Sequence, residues 1–258
     1  KTVFLSGMEE ALPQKYPASS AWRTAASLLL YILVYYALFR DLRSILLLVI
    51  VIIIHEGGHF LAMKMFGYRD MKMFFIPFFG AFVSGKSNEA SPLQRAIMIL
   101  SGPMPGILIG TILFALSIFS DSKTLLQPAL LFMVLNAINL LPVSPLDGGQ
   151  FLQILFPASN KIIQTIFTLL LIAVITWLVF RTRNYLLLIL DIFLFYRLSM
   201  LFGKKVQELE PPENNDAISP DHTEIKPLAK SILMQLWLIG ILIPIAVMVY
   251  LAINADRF

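Results

Sequence analysis

The sequence predicts an all-α, polytopic membrane protein of about seven transmembrane helices, with one short membrane-associated β-hairpin after the second. Three observations carry that expectation. Of the 258 residues, 58% are hydrophobic and only 14% are charged, and the mean hydropathy is +0.78, outside the range of soluble globular domains. Apolar runs long enough to cross about 30 Å of hydrocarbon as helix recur along the chain. The connections between them are short and hold most of the charge.

The opening stretch to Ser20 is polar and of mixed charge, without the short apolar core of a secretory signal. Spans are then expected from Trp22 to Phe39, Ser44 to Phe66, Arg95 to Phe119, Leu125 to Leu141, Ile162 to Phe180, Tyr185 to Phe202 and Ser231 to Ile253. Met71 to Gly85, MKMFFIPFFGAFVSG, is too short to span and is interrupted by Pro77 and Gly80. It reads as two aromatic-rich strands about a turn near Pro77 to Gly80, with an amphipathic connector lying on the bilayer as the alternative. Gly203 to Pro227 includes a polar, proline-bearing stretch from Glu208 to Asp216 and is expected to be a flexible loop.

Charge sets the orientation. If the chain start and every second connection face one side, only Arg40, Arg43, Lys123, Arg181, Arg183 and Arg257 of the 20 basic residues fall on the other. The positive-inside rule makes the basic side cytoplasmic. The net charge of +4 and pI near 9.3 are thereby explained by topology, and a nucleic-acid partner is not expected. The expected partners are the lipid bilayer and whatever the polar groups inside it act upon.

Those polar groups are concentrated. His55-Glu56-Gly57-Gly58-His59 ends an apolar run from Ser44 to Ile54. At helical pitch two histidines four residues apart project from one face and can grip one metal ion. Glu56 lies beside them, placed to handle a proton of water at that metal. HExxH also arises by accident on soluble helices, but inside hydrocarbon each polar group needs a partner that lipid cannot supply. Histidine and glutamate at such a place cost ~2–3 kcal/mol or more when charged, and so mark function. Gly57 and Gly58 either let an extended chain approach the helix or simply allow tight packing.

A catalytic zinc site has three protein ligands, and the chain has no cysteine, so the third must be nitrogen or oxygen. His222 lies in the polar loop. Of the acids at membrane depth, Asp147 follows Asn139-Leu140-Leu141-Pro142-Val143-Ser144-Pro145-Leu146, where two prolines and the Gly148-Gly149 pair must break the helix. Broken helix at that depth is tolerated only where it is buried or lines a cavity. Asp191 sits in unbroken apolar helix, where a single acid is better suited to bonding a neighbouring helix. The contrast favours Asp147.

Taken together, HEGGH and NLLPVSPLDGG resemble the two signatures of the site-2 protease family of intramembrane zinc metalloproteases. The resemblance implies His55, His59 and Asp147 as zinc ligands, Glu56 as catalytic base and Asn139 as a polar residue near the reacting carbonyl. Ser101-Gly102-Pro103-Met104-Pro105-Gly106 is similar to the Gly-Pro element of the family's middle core helix, with Pro105-Gly106 in place of its usual small or asparagine residue. The Met71 to Gly85 hairpin resembles the one that follows the first core helix in bacterial members. The organisation implied is an N-terminal segment and accessory helix over 1–43, a metalloprotease core over 44–157 with the hairpin at 71–85, and accessory helices over 158–258 with the polar loop at 203–227.

By that resemblance the chain is an endopeptidase cutting transmembrane segments of membrane-protein or peptide substrates, in regulated intramembrane proteolysis or signal-peptide clearance. A multi-pass protein of a prokaryotic cytoplasmic membrane, with its site towards the cytoplasm, is implied. The competing expectation is a zinc-binding membrane protein without hydrolysis, either a transporter or an inactive relative. An intact Glu56 weighs against it, since metal binding alone does not require that carboxylate.

Overall fold

The computed structural model describes residues 21–77, 80–86, 90–157, 160–183, 188, 191–196, 198 and 225–254. Two helices open it, α1 (Ala21–Phe39) and α2 (Leu42–Met65). Asp41 caps α2, accepting a hydrogen bond from the Ser44 N–H, and the Ser44 bonds hold its carboxyl below the usual carboxylate range. The far end of α2 is closed by a left-handed Gly67, φ 80°. There the Gly67 N–H donates to the Lys64 carbonyl and the Tyr68 N–H to Met63, at 3.1 and 3.0 Å.

That turn feeds an antiparallel hairpin, β1 (Arg69–Ile76) and β2 (Gly80–Lys86), in the register Met73 to Val83, Phe74 to Phe82 and Phe75 to Ala81. Paired strands stand here, as expected, rather than a surface connector. α1 covers the face of β1. Tyr31 and Phe75 meet edge to face with ring centroids 6.3 Å apart, and both are buried with Val49 and Ile52 of α2.

The expected third span is two helices, α3 (Pro92–Ser101) and α4 (Pro103–Phe119), jointed at Gly102 within one apolar stretch of 28 residues. Ser91 and Gln94 form a reciprocal cap at its start. Pro103 and Pro105 occupy the first turn of α4, where no intrahelical donor is lost. α5 (Lys123–Asn139) packs along α4, an irregular segment covers 140–146, and α6 (Asp147–Leu155), α7 (Asn160–Thr182) and α8 (Pro227–Ile253) complete the described helices. Among the described residues, α1, α2, the α3–α4 pair, α7 and α8 are long and apolar enough to cross a membrane. α5 has 17 residues, about 26 Å at 1.5 Å per residue, which is short of a full crossing. The expected Tyr185 to Phe202 span lies largely outside the described residues, as do the opening stretch to Ser20, His222 and most of the 203–227 loop.

The main core joins α3, α6 and α8: Ala96, Leu100, Phe151, Leu152 and Trp237 pack about Leu140. Glycine sets how closely the inner helices approach. A Cβ on Gly58 would run into the Ser101 carbonyl, whereas one on Gly57 would meet nothing within 4 Å. Of the two adjacent glycines only Gly58 is a packing residue. Gly58→Ala is expected to lower stability by ~1–3 kcal/mol through forced separation of α2 from α3. Gly57→Ala is expected to leave it unchanged or raise it slightly. Thermal unfolding in detergent checks the contrast, and equal melting of the two variants would refute it.

Candidate metal centre

His55 and His59 leave the same face of α2, and Asp147 arrives as the first residue of α6. Their donor atoms converge. His55 Nε2 lies 3.1 Å and His59 Nε2 3.3 Å from the same Asp147 oxygen, Oδ2, and the two Nε2 atoms are 3.2 Å apart. Among the described residues, this is the group of three side chains placed to hold a metal.

The far side of each ring fixes its tautomer. His59 Nδ1 is 2.8 Å from the Met98 carbonyl, which can only accept, so Nδ1 carries the hydrogen. His55 Nδ1 is 2.8 Å from Asn136 Oδ1. The Asn136 amide nitrogen donates to the Phe132 carbonyl at 2.7 Å, which orients Oδ1 towards the ring as acceptor. With both Nδ1 atoms protonated, the neutral rings aim Nε2 lone pairs at each other and at a carboxylate oxygen. Asp147 Oδ2 is buried without a hydrogen-bond partner. Three acceptors so arranged repel one another unless a cation lies among them. Their 3.1–3.3 Å separations match the edge of about 3.3 Å in a tetrahedron with ~2.0–2.1 Å bonds to nitrogen and oxygen. The donor set therefore fits zinc.

The surroundings are cut to these rings. A Cβ on Gly102 would collide with the His59 imidazole, and one on Gly106 with the Asn136 amide. The α3–α4 joint and the first turn of α4 thus leave the space that the His59 ring and the Asn136 amide occupy. Asp147 is delivered by the irregular segment, where the Trp237 indole of α8 donates to the Leu140 carbonyl at 3.0 Å. Cβ atoms on Gly148 or Gly149 would run into the backbone of 140–144.

Glu56 is buried beside the rings and lines a cavity of about 1320 Å³ that also reaches Asn139, Ala81, Phe82, Val83 and Arg95. The Asn139 amide donates to the Leu135 carbonyl at 3.2 Å, which leaves its second amide hydrogen available. Asp191 stands apart, accepting from Thr176 Oγ1 of α7 at 2.6 Å. Sequence reasoning missed Asn136, although an asparagine three residues before Asn139 in apolar helix was a usable signal. The Met98 contribution is a backbone carbonyl and left no trace in residue identity.

Comparison with known proteins bears on the part of this centre that α2 carries. Residues 43–129 match the family model described as Peptidase family M50. A zinc metalloprotease of Methanocaldococcus jannaschii is 30% identical over 113 residues, covering 42% of this chain and 32% of that protein. Stage IV sporulation protein FB of Bacillus subtilis is 31% identical over 121 residues, covering 45% of this chain and 41% of that protein. Over residues 43–129 the chain is thus similar to peptidase family M50, the family of the site-2 proteases. It matches less than half the length of either curated relative. The solved site-2 protease from Methanocaldococcus jannaschii aligns over 69% of this chain and 87% of its own, at 19% identity and a TM-score of 0.45. The family match carries HEGGH and ends before Asn139 and Asp147.

If Asn136 orients His55, then Asn136→Ala should weaken zinc retention roughly 10–100-fold in competition with a chelator while helix content holds. Asn139→Ala, whose amide bonds Leu135 instead, should retain zinc like the unaltered chain. Equal retention in both variants would remove the orienting role.

Proposed function

We propose that this chain is an intramembrane zinc endopeptidase, hydrolysing peptide bonds within or near transmembrane segments of membrane-protein substrates. The observation that carries the reading is the placement of Glu56 in the same buried turn as two imidazoles that share one carboxylate oxygen, all bordering a cavity large enough for peptide and water.

His55, His59 and Asp147 would hold the metal. Bound there, zinc supplies Lewis acidity that polarises a peptide carbonyl and acidifies water. Glu56 takes the proton as water attacks the carbonyl carbon, then returns it to the departing amine nitrogen. The Asn139 amide, at the end of α5 on the cavity wall, donates to the carbonyl oxygen as negative charge builds on it. Arg95 and the hairpin border the same cavity, and with the positive-inside orientation its mouth faces the cytoplasm.

A helical substrate cannot react as it stands, because its carbonyls are already hydrogen-bonded. Once unwound it needs backbone partners, and an open strand edge supplies them. The register identifies that edge. In an antiparallel pair, a residue's N–H and C=O point together, alternately towards and away from the partner strand. The Met73 carbonyl and the Phe75 N–H both bond side chains of α1, at 2.8 and 3.2 Å, so Met73 and Phe75 point away from β2. Their opposites, Val83 and Ala81, therefore point away from β1, and both line the cavity. Phe82 points its backbone groups inward, to Phe74.

Glu56→Gln should retain zinc and fold yet lose cleavage of a model membrane substrate by several orders of magnitude, since the amide keeps shape but accepts no proton. Asp147→Ala should lose zinc and Asp191→Ala should keep it. Full proteolysis by the Glu56→Gln variant would exclude the base, and the reverse zinc pattern would exclude the third ligand.

The two strand positions separate as well. Val83→Pro removes an outward donor and should depress cleavage at least tenfold with zinc content and melting close to the unaltered chain. Phe82→Pro removes a ladder hydrogen bond and should destabilise the hairpin itself. Normal cleavage by Val83→Pro would reduce the hairpin to a surface connector.

A further inference from the structure

We infer that α1 decides which edge of the hairpin is open, with Thr24 and Ser27 as positioning residues that close the outer edge of β1 and leave β2 at the cavity to receive a peptide. The inference rests on the proteolytic reading and adds a role for a helix that lies before the family match, which begins at residue 43.

A two-stranded ribbon has two open edges, and each is a template for a third strand. Among the described residues, β2 and not β1 contributes to the cavity wall, so a peptide paired to β1 would lie away from the metal ligands. α1 occupies that wrong edge. Thr24 Oγ1 donates to the Met73 carbonyl at 2.8 Å, and Ser27 Oγ accepts from the Phe75 N–H at 3.2 Å. The hydroxyl protons are fully allotted. Thr24 uses its own on Met73, and Ser27 gives its own to the Thr24 carbonyl at 2.9 Å, which leaves its lone pairs for Phe75. Three residues apart on one helical face, the two hydroxyls meet a carbonyl and an N–H that flank Phe74 on the strand. They stand where the acceptor and donor of a third strand would stand.

The same contact fixes the hairpin in depth. Phe75 is buried with Tyr31, Val49 and Ile52, and Ile52 lies three residues before His55 on α2. The edge bonds of α1 thus tie the strand to the helix that carries the metal ligands. Loss of the two hydroxyls would free β1 to shift or to pair, and the open edge of β2 would lose its fixed distance from the site.

The test uses the full chain with zinc in phospholipid vesicles and a fluorogenic single-span peptide that the unaltered chain cuts. Thr24→Val with Ser27→Ala is expected to raise KM about tenfold, the scale of one or two lost hydrogen bonds, with kcat and zinc content little changed. Amide hydrogen exchange across residues 69–76 should accelerate in the same variant. The hydroxyl-keeping pair Thr24→Ser with Ser27→Thr should restore both readings. An unaltered KM in the first pair, or an equal loss in the second, overturns the inference. If the double variant fails to fold, Thr24→Val alone is read by the same measures. Failure of the underlying reading looks different: the unaltered chain then cuts no peptide, or Val83→Pro cuts it normally.

Discussion

Three electron-rich atoms, His55 Nε2, His59 Nε2 and Asp147 Oδ2, lie within 3.3 Å of one another in a layer of protein that offers them no hydrogen to share. In a low-dielectric interior that arrangement is repulsive on its own. It is held because the opposite nitrogen of each ring is committed elsewhere, to Asn136 and to the Met98 carbonyl, so neither imidazole can turn away. Much of the rest follows from that commitment. Residue 102 is glycine because a side chain there would occupy the place of the His59 ring, and Gly106 is bare because Asn136 fills its place. Gly58 lets α2 close onto Ser101 and brings Met98 within reach of His59.

Asp147 poses the opposite problem. Its delivery needs irregular backbone among apolar helices, where each unpaired N–H or carbonyl costs several kcal/mol. The segment after α5 answers mostly from within. Leu141 bonds Ile138, Val143 bonds Leu141 and Leu146 bonds Val143 through backbone groups, and Gln150 reaches the Pro145 carbonyl. Two more carbonyls are met by distant helices, Leu140 by Trp237 of α8 and Gly149 by Gln164 of α7. The C-terminal helices are thereby coupled to the segment that carries Asp147 by hydrogen bonds. They lie outside the segment that defines the family match, yet the turn that presents Asp147 leans on both.

What the sequence made legible was whatever broke an apolar pattern. HEGGH stood out because histidine and glutamate are costly in an apolar helix, and Asp147 because prolines and glycines around it forbid a continuous span. The hairpin was legible from Pro77 and Gly80 inside an apolar run too short to cross. The parts that escaped were those in which a common residue does a special job through geometry. Thr24 and Ser27 read as ordinary small polar residues in a span. Met98 contributes only a carbonyl, and Gly102 marks a helix joint that apolar length alone could not locate. Residue 136 was the avoidable omission, since buried asparagine in hydrocarbon requires a partner as surely as histidine does.

If the site cuts a transmembrane helix, as proposed, the reach of the open strand edge bears on how much of that helix must unwind. Ala81 and Val83 offer two N–H donors and two carbonyl acceptors along the cavity wall. In a helix, extending a short segment strands the carbonyls one turn before it and the N–H groups one turn after, on the order of four of each. On the proteolytic reading the strand edge serves groups of the extended segment itself, and those of the flanking turns need water or polar groups of the cavity wall. A longer edge would satisfy more, yet it would hold the peptide as a strand rather than release it. On the proteolytic reading, a short hairpin, pinned on one side by α1 and open on the other for two pairing residues, suits a site that must stabilise an extended peptide only for as long as Glu56 needs it.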